Sequence, residues 1–203
     1  MKTISLLGLV AAITIFVLIA VSYFVPWWQL MVGTPALAAV NISPLNINLS
    51  LFDTILTVPL LWAINTSCLL MLLAGGIIMT IYSVAPTKPY ATKLLGYGYK
   101  QPLIALILFV VEVLGLVFSV RAFTGLDVPL VGPSAIGFPA GLAPGGVSVS
   151  VNVIAMFGWP FFLAITVVVL CIIARLYHGK IAKTLINNLP TSPVAQAPES
   201  SIS

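Results

Sequence analysis

Residues 102–123 read PLIALILFVVEVLGLVFSVRAF, an apolar stretch long enough to cross the hydrocarbon core of a bilayer. Three more stretches have the same character, at 4–25, 58–84 and 154–177. Only 6% of the 203 residues are charged, whereas about a quarter are charged in a soluble domain. The sequence therefore predicts an all-α polytopic membrane protein, built as a four-transmembrane-helix bundle.

These four spans use about half of the chain and leave no room for a separate soluble domain. Residues 1–189 are accordingly predicted to form a single transmembrane domain. The last residues, 190–203, are rich in Pro, Ser and Ala and are predicted to be a disordered cytoplasmic tail.

The positive charges are distributed unevenly between the two sides of the spans. Seven of the eight Lys and Arg residues fall on one side: Lys2, Lys88, Lys93, Lys100, Arg175, Lys180 and Lys183. Only Arg121 falls on the other. The positive-inside bias predicts a multi-pass protein of the cell membrane with both termini cytoplasmic and outer loops at 26–57 and 124–153. Anionic lipid headgroups are the expected cytoplasmic contact of these cations, and no motif indicates nucleic acid.

Two short segments outside the spans alternate between apolar and polar residues. They are 45–51, LNINLSL, and 147–153, VSVSVNV, one in each outer loop. Period-two alternation is typical of a strand with one buried face. We expect the two strands to pair in a small extracytoplasmic β element formed by both outer loops. Pro59 and Pro160 follow these strands, in or near the first turn of the next helix, where proline is tolerated.

Four spans with a strand-bearing outer region on each hairpin resemble the topology of the claudin-like tetraspan families. Those families carry a tryptophan and paired cysteines in the first outer loop. Here Trp27 and Trp28 lie at the membrane exit, and Cys68 and Cys171 fall inside spans two and four, where we expect them to pack as small apolar residues. The resemblance is one of topology, so neither residues nor function is transferred from it.

Glu112 lies at the centre of the third span, where a carboxylate costs roughly 2.5 kcal/mol or more. Counting depth along the helices places Thr14 and Thr166 near its level, and Asn65 about a turn or more further out. A candidate polar site of Glu112, Thr14 and Thr166 follows, in which desolvation favours the neutral carboxyl. Two interpretations stay open: a proton or cation site, or a hydrogen-bonded packing residue.

The same helix face continues through small residues. Gly115 and Ser119 have the small-xxx-small spacing that allows two helices to approach closely. The stripe that contains Glu112 is therefore expected to face the interior of the bundle, with Gly115 and Ser119 in helix packing.

Asparagine sequons occur at Asn41, Asn48 and Asn65. The first two fall in the outer loops and are candidate glycosylation sites, whereas the third lies within span two and should be unmodified.

Two functional hypotheses from different classes remain. The first is an accessory, assembly or interaction subunit of a larger membrane complex, whose partners are other membrane proteins or further copies of the chain. The second is a small transporter or proton-coupled carrier centred on Glu112. An enzyme ranks behind both because no acid–base, nucleophilic or metal-binding constellation can be assembled, and no cofactor is expected.

Overall fold

Four long apolar helices dominate the structure, a computed structural model that describes residues 5–33, 38–51, 54–56, 58–86, 88–138 and 149–187. The helices are α1 (Leu6–Phe24), α2 (Pro59–Val84), the short α3 (Ala91–Gly98), α4 (Lys100–Thr124) and α5 (Trp159–Asn187). Each helix except the short α3 is long and apolar enough to cross a membrane. They indicate a multi-pass membrane protein, as the four spans predict. The predicted tail at 190–203 lies outside the described residues.

The helix starts follow from local sequence. Pro59 is the first residue of α2 and Pro160 the second of α5, positions where a missing N–H removes no helical hydrogen bond. The prediction for both prolines is confirmed. At the other end of α4, Gly125 adopts the left-handed conformation (φ 70°) that commonly terminates a helix.

A six-stranded antiparallel sheet lies at one end of the bundle. Its strands are β1 (Trp28–Val32), β2 (Ala38–Ile42), β3 (Ile47–Leu51), β4 (Thr54–Leu56), β5 (Gly132–Phe138) and β6 (Val149–Phe157). Their order is β4-β3-β2-β1-β6-β5. The connection between α1 and α2 supplies four strands, and the connection between α4 and α5 supplies two. Both connections thus form one β element, which is larger than the sequence predicts.

Two expectations about the strands need correction. The strands predicted at 45–51 and 147–153 match β3 and β6 where the structure describes them, but β2 and β1 lie between them, so they do not pair. Alternation shows which face of a strand is buried and does not show which strand lies beside it. In addition, β6 continues to Phe157, so the fourth long helix starts at Trp159 and not at 154.

One face of the sheet, the packed face, is buried, and the other is exposed. Trp28, Leu30, Val153 and Ala155 are buried on the packed face, where β1 and β6 run side by side. The indole N–H of Trp28 donates to the Leu130 carbonyl at 3.0 Å. An antiparallel sheet of this kind hides its apolar side chains on one face only.

The sheet is joined to the helices at two places, where β1 follows α1 and where β6 leads into α5. The Gly158 N–H donates to the Trp27 carbonyl at 2.9 Å, and the Trp27 N–H donates to the Ile42 carbonyl at 2.9 Å. A Cβ on residue 158 would stand 2.3 Å from the Pro26 carbonyl oxygen. Only glycine therefore fits at this crossing of two backbones.

The helices form a ring in which α1 packs on α2 and α5, and α2 packs on α4. The contact between α4 and α5 is the weakest around this ring. We call the end of the bundle under the sheet the sheet side, and the opposite end the distal side. Arg121 lies at the sheet side and forms an exposed ion pair with Asp127 at 2.9 Å. Lys88, Lys93, Lys100 and Arg175 lie at the distal side, and the last turns of α5 add Lys180 and Lys183, so the one-sided charge of the sequence is also one-sided in space.

Candidate functional site

The structure places Glu112 inside the bundle, at the interface of α4 and α2. It is 3% exposed and shares one face of α4 with the buried residues Ala105, Phe109 and Val113. Spacings of three and four residues place these side chains on one helical stripe, which turns the carboxyl away from lipid. Glu112 is the one acidic or basic side chain among the buried residues that the structure describes.

The hydrogen-bond partner of Glu112 is Asn65 of α2. The Asn65 Nδ2 donates to Glu112 Oε1 at 2.7 Å and also to the Leu61 carbonyl at 3.1 Å. Asn65 is itself 3% exposed. Among the described residues, neither Asn65 Oδ1 nor Glu112 Oε2 has a hydrogen-bond partner, although both atoms are buried.

The two unpartnered oxygens define what this pair can do chemically. A carboxylic acid and a primary amide have complementary donors and acceptors, and each can satisfy the other through two hydrogen bonds. One of these bonds is present, from the amide to the carboxyl. A proton on Oε2 would supply a second donor, and the unpartnered amide oxygen of Asn65 is an acceptor for it. The carboxyl and the amide can thus satisfy each other when Glu112 carries a proton.

The predicted cluster with Thr14 and Thr166 is not present. The Thr14 hydroxyl donates to the Val10 carbonyl at 2.7 Å, and the Thr166 hydroxyl donates to the Phe162 carbonyl at 3.0 Å. Thr166 is exposed and Thr14 is partly exposed. Counting depth along a helix does not show which way a side chain faces, and a threonine can satisfy its hydroxyl on its own helix.

Gly115 and Ser119 also differ from the prediction. Both are exposed, and a Cβ at Gly115 would meet no atom within 4 Å. The sheet-side half of α4 has few neighbours because α4 packs mainly on α2. These two small residues therefore do not mediate helix packing within the chain.

The two cysteines lie in separate parts of the bundle. Cys68 and Cys171 are buried and unpaired, and the Cys68 thiol lies 3.5 Å from the Ala105 carbonyl. Over the part of the chain that the structure describes, no group of three or more His, Cys, Asp and Glu residues is arranged to hold a metal ion.

The open face of the sheet carries the other unusual constellation. We call it the open sheet face, and at its centre Met31, Ile154 and Met156 are 41%, 42% and 42% exposed. Met31 lies opposite Ile154, and Gln29 lies opposite Met156, so these side chains adjoin one another across β1 and β6.

An amide row continues the open sheet face on the side of β2 and β3. Gln29 lies opposite Asn41, and Asn41 lies opposite Asn48, so three amide side chains adjoin one another in successive strands. They line a shallow groove with Tyr23 and Phe24 of α1. Asn41 and Asn48, the glycosylation candidates, thus project from the same face.

The pairing of Asn65 with Glu112 and the open sheet face are not predicted from the sequence. Asn65 carries its own signal, since an amide within a span is costly unless it is paired. The sequence signal for the open sheet face is weaker, because the apolar methionines of WQLMV and VIAMF interrupt the apolar–polar alternation that is typical of a strand. A comparison with protein-family models finds no match for the chain, and a comparison with curated proteins finds none either.

Proposed function

We propose that the chain is an interaction subunit of a larger membrane complex, and that the open sheet face docks on another integral membrane protein. The observation that carries this proposal is the lack of charge on an exposed surface. None of the described strand residues is Asp, Glu, Lys or Arg, although one side of the sheet is open. A sheet face that meets only water normally alternates its apolar residues with polar and charged ones.

The composition of the open sheet face fits a protein partner. Interface cores are depleted in charged residues and enriched in methionine and aromatic residues. Met31 and Met156 supply flexible side chains that adapt to a partner surface. The amide row beside them supplies donors and acceptors for a polar rim. Since the sheet is attached directly to the helix ends, the partner must also be held at the membrane surface.

The orientation of the docking surface follows from charge. With the distal cations on the cytoplasmic side, as the positive-inside bias requires, the open sheet face lies outside the cell membrane and both termini lie inside. The proposed partner is therefore recognised through its extracytoplasmic part.

Substituting two methionines of the open sheet face with glutamate tests this proposal. Met31→Glu with Met156→Glu is expected to weaken partner binding at least about tenfold, because two unpaired carboxylates would be buried in the interface. The full chain is purified in mild detergent from its native membrane, and the yield of the co-purifying membrane protein is quantified by mass spectrometry. Met31→Leu with Met156→Leu is the matched control, which keeps the surface apolar and should retain the partner. Retention by the glutamate variant, or equal loss by the leucine variant, contradicts the proposal.

A carrier is the second candidate, and the Asn65–Glu112 pair favours it. Glu112 lies in the middle of α4 and Asn65 in the second turn of α2, and the pair leaves two buried oxygens without a partner among the described residues, which is unusual for a purely structural contact. Ionisable groups inside membranes commonly belong to proton or ion pathways.

Glu112→Gln distinguishes the carrier from the interaction subunit. The substitution keeps the shape and the acceptor for Asn65 but removes ionisation, so proton-coupled flux into proteoliposomes should fall to background while the chain still folds. Thr166→Val is the control, since this threonine is exposed and bonded to its own helix. If wild-type proteoliposomes show no flux above empty vesicles, or Glu112→Gln leaves the flux unchanged, the carrier is rejected.

A further inference from the structure

A basic pocket lies at the distal side, between the α3–α4 segment and α5. It is lined by Lys93, Gly96, Tyr97, Lys100 and Arg175, and its volume is about 400 Å³. The first four lie at spacings of three, four and seven residues, which places them on one face of the helical segment. Three cations from separate turns and helices thus converge on one depression, whose volume is within the usual range of ligand pockets, about 300–1,000 Å³.

The position of α5 beside this pocket is held by specific contacts. The Arg175 guanidinium lies 4.2 Å from the centre of the Tyr99 ring, a cation–π contact that keeps this side chain next to α4. One turn further along α5, the His178 ring lies 3.1 Å from the Tyr82 hydroxyl and 3.5 Å from that of Thr92. The histidine therefore joins α5 to α2 and to the start of α3, next to Lys93.

The floor of the basic pocket is open. A Cβ at Gly96 would meet no atom within 4 Å, so the glycine leaves room between the two lysines. No ion pair within the described residues involves Lys93, Lys100 or Arg175. The two acidic residues that the structure describes, Glu112 and Asp127, lie in the middle of α4 and at the sheet side. The three cations thus face the depression without a neutralising carboxylate.

We propose that the basic pocket binds the phosphate group of an anionic phospholipid. The pocket lies at the ends of helices that are long enough to span a bilayer, which is the level of lipid phosphates. Tyr97 is exposed beside it, and tyrosine is enriched at that interface. The α3 helix buries Ala91, Leu95 and Gly98 against the bundle, and this packing presents Lys93 outward at headgroup depth. The inference requires membrane insertion but does not depend on the proposed interaction function.

Lipid selectivity measured on the purified full chain tests this site. The protein in detergent is titrated with phosphatidylglycerol or phosphatidylcholine, and bound lipid is counted by native mass spectrometry. The wild type should prefer phosphatidylglycerol. Lys93→Gln and Arg175→Gln should each lower that preference about fivefold, since a basic residue near anionic lipid contributes about a factor of five. Lys88→Gln is the matched control, an exposed lysine on the same side that does not line the pocket.

Gly96→Leu separates a built pocket from a diffuse positive surface. This substitution keeps every charge and meets no neighbour at its Cβ, but it places a side chain in the open space between Lys93 and Lys100. A pocket predicts that phosphatidylglycerol selectivity falls as it does for the charge variants, while the unfolding temperature without lipid is not lowered, since leucine replaces a glycine within α3. If selectivity survives Gly96→Leu, or falls equally in Lys88→Gln, the attraction is diffuse and the proposal is overturned.

A further measurement distinguishes a lipid phosphate from a soluble phosphate compound. Excess glycerol phosphate should not displace phosphatidylglycerol from the wild type, because the lipid is also held by its acyl chains. Complete displacement would show that the pocket serves a soluble phosphate compound, and the lipid assignment would be wrong.

Discussion

Replacing Trp27 with alanine is expected to lower the free energy of unfolding by about 3–5 kcal/mol, the usual loss for a buried tryptophan. The side chain is 1% exposed and lies under the sheet, where it contacts the Phe109 ring at a centroid distance of 4.9 Å. Its indole N–H donates to Ser22 Oγ at 2.7 Å. Alanine would leave a cavity where α1, α4 and the sheet meet, and it would remove the donor that Ser22 accepts from.

The Trp27 prediction has two internal controls. Trp62→Ala removes the same side chain from a site that is 65% exposed on α2, so it should change stability much less. Trp27→Phe keeps most of the buried area but loses the N–H, and its loss should be intermediate. Reversible unfolding in mixed micelles with increasing SDS measures all three variants. Equal losses for Trp27→Ala and Trp62→Ala would contradict the role assigned to Trp27.

The same residue explains why part of the sheet was not predicted. An aromatic pair after a span is typical of the membrane interface, and Trp27 and Trp28 fit that pattern. The structure instead buries both side chains beneath the sheet and begins β1 at Trp28. Interfacial anchoring and burial under a sheet require the same residue type at the same depth. Only the neighbouring strands decide between them, and these come from distant parts of the chain.

The spans were predictable because length and apolar character are local properties. The start of the last helix was not, because residues 154–157 are apolar and fit the end of a strand as well as the first turn of a helix. The sheet order was beyond reach for a related reason. Alternation in 45–51 and 147–153 fixes a buried face for β3 and β6, whereas the insertion of β1 and β2 between them depends on backbone pairing across the whole connection.

The candidate polar site, too, is predictable in its local part and not in the part that depends on helix packing. The cost of a carboxylate in hydrocarbon singles out Glu112 from the sequence alone. Its partner depends on helix rotation and tilt, which depth counting ignores. Asn65 was placed about a turn or more further out, yet its amide reaches Glu112 at 2.7 Å. Whether the site carries a function stays a prediction, and stability measurements on the pair can decide what holds it there.

Asn65→Leu is expected to lower the free energy of unfolding by about 1–3 kcal/mol, because it leaves both oxygens of a buried carboxyl without a partner. The double variant Asn65→Leu with Glu112→Leu should recover most of that loss, since two apolar side chains can pack where an acid–amide pair is removed as a unit. Unfolding in SDS mixed micelles is measured for the wild type, Asn65→Leu, Glu112→Leu and the double variant, which together form a double-mutant cycle. Glu112 and Asn65 are in direct contact, so their effects should not add.

The outcome of this cycle bears directly on the two proposed functions. A double variant as stable as the wild type means that the polar pair is unnecessary for folding, so its retention in the hydrocarbon needs a reason outside stability, and proton or ion movement becomes the stronger one. A double variant no more stable than the single variants means that the pair itself holds α2 against α4, since each single substitution already removes the whole interaction and no apolar substitute replaces it. In that case Glu112 is a structural residue, and the open sheet face remains the better guide to function.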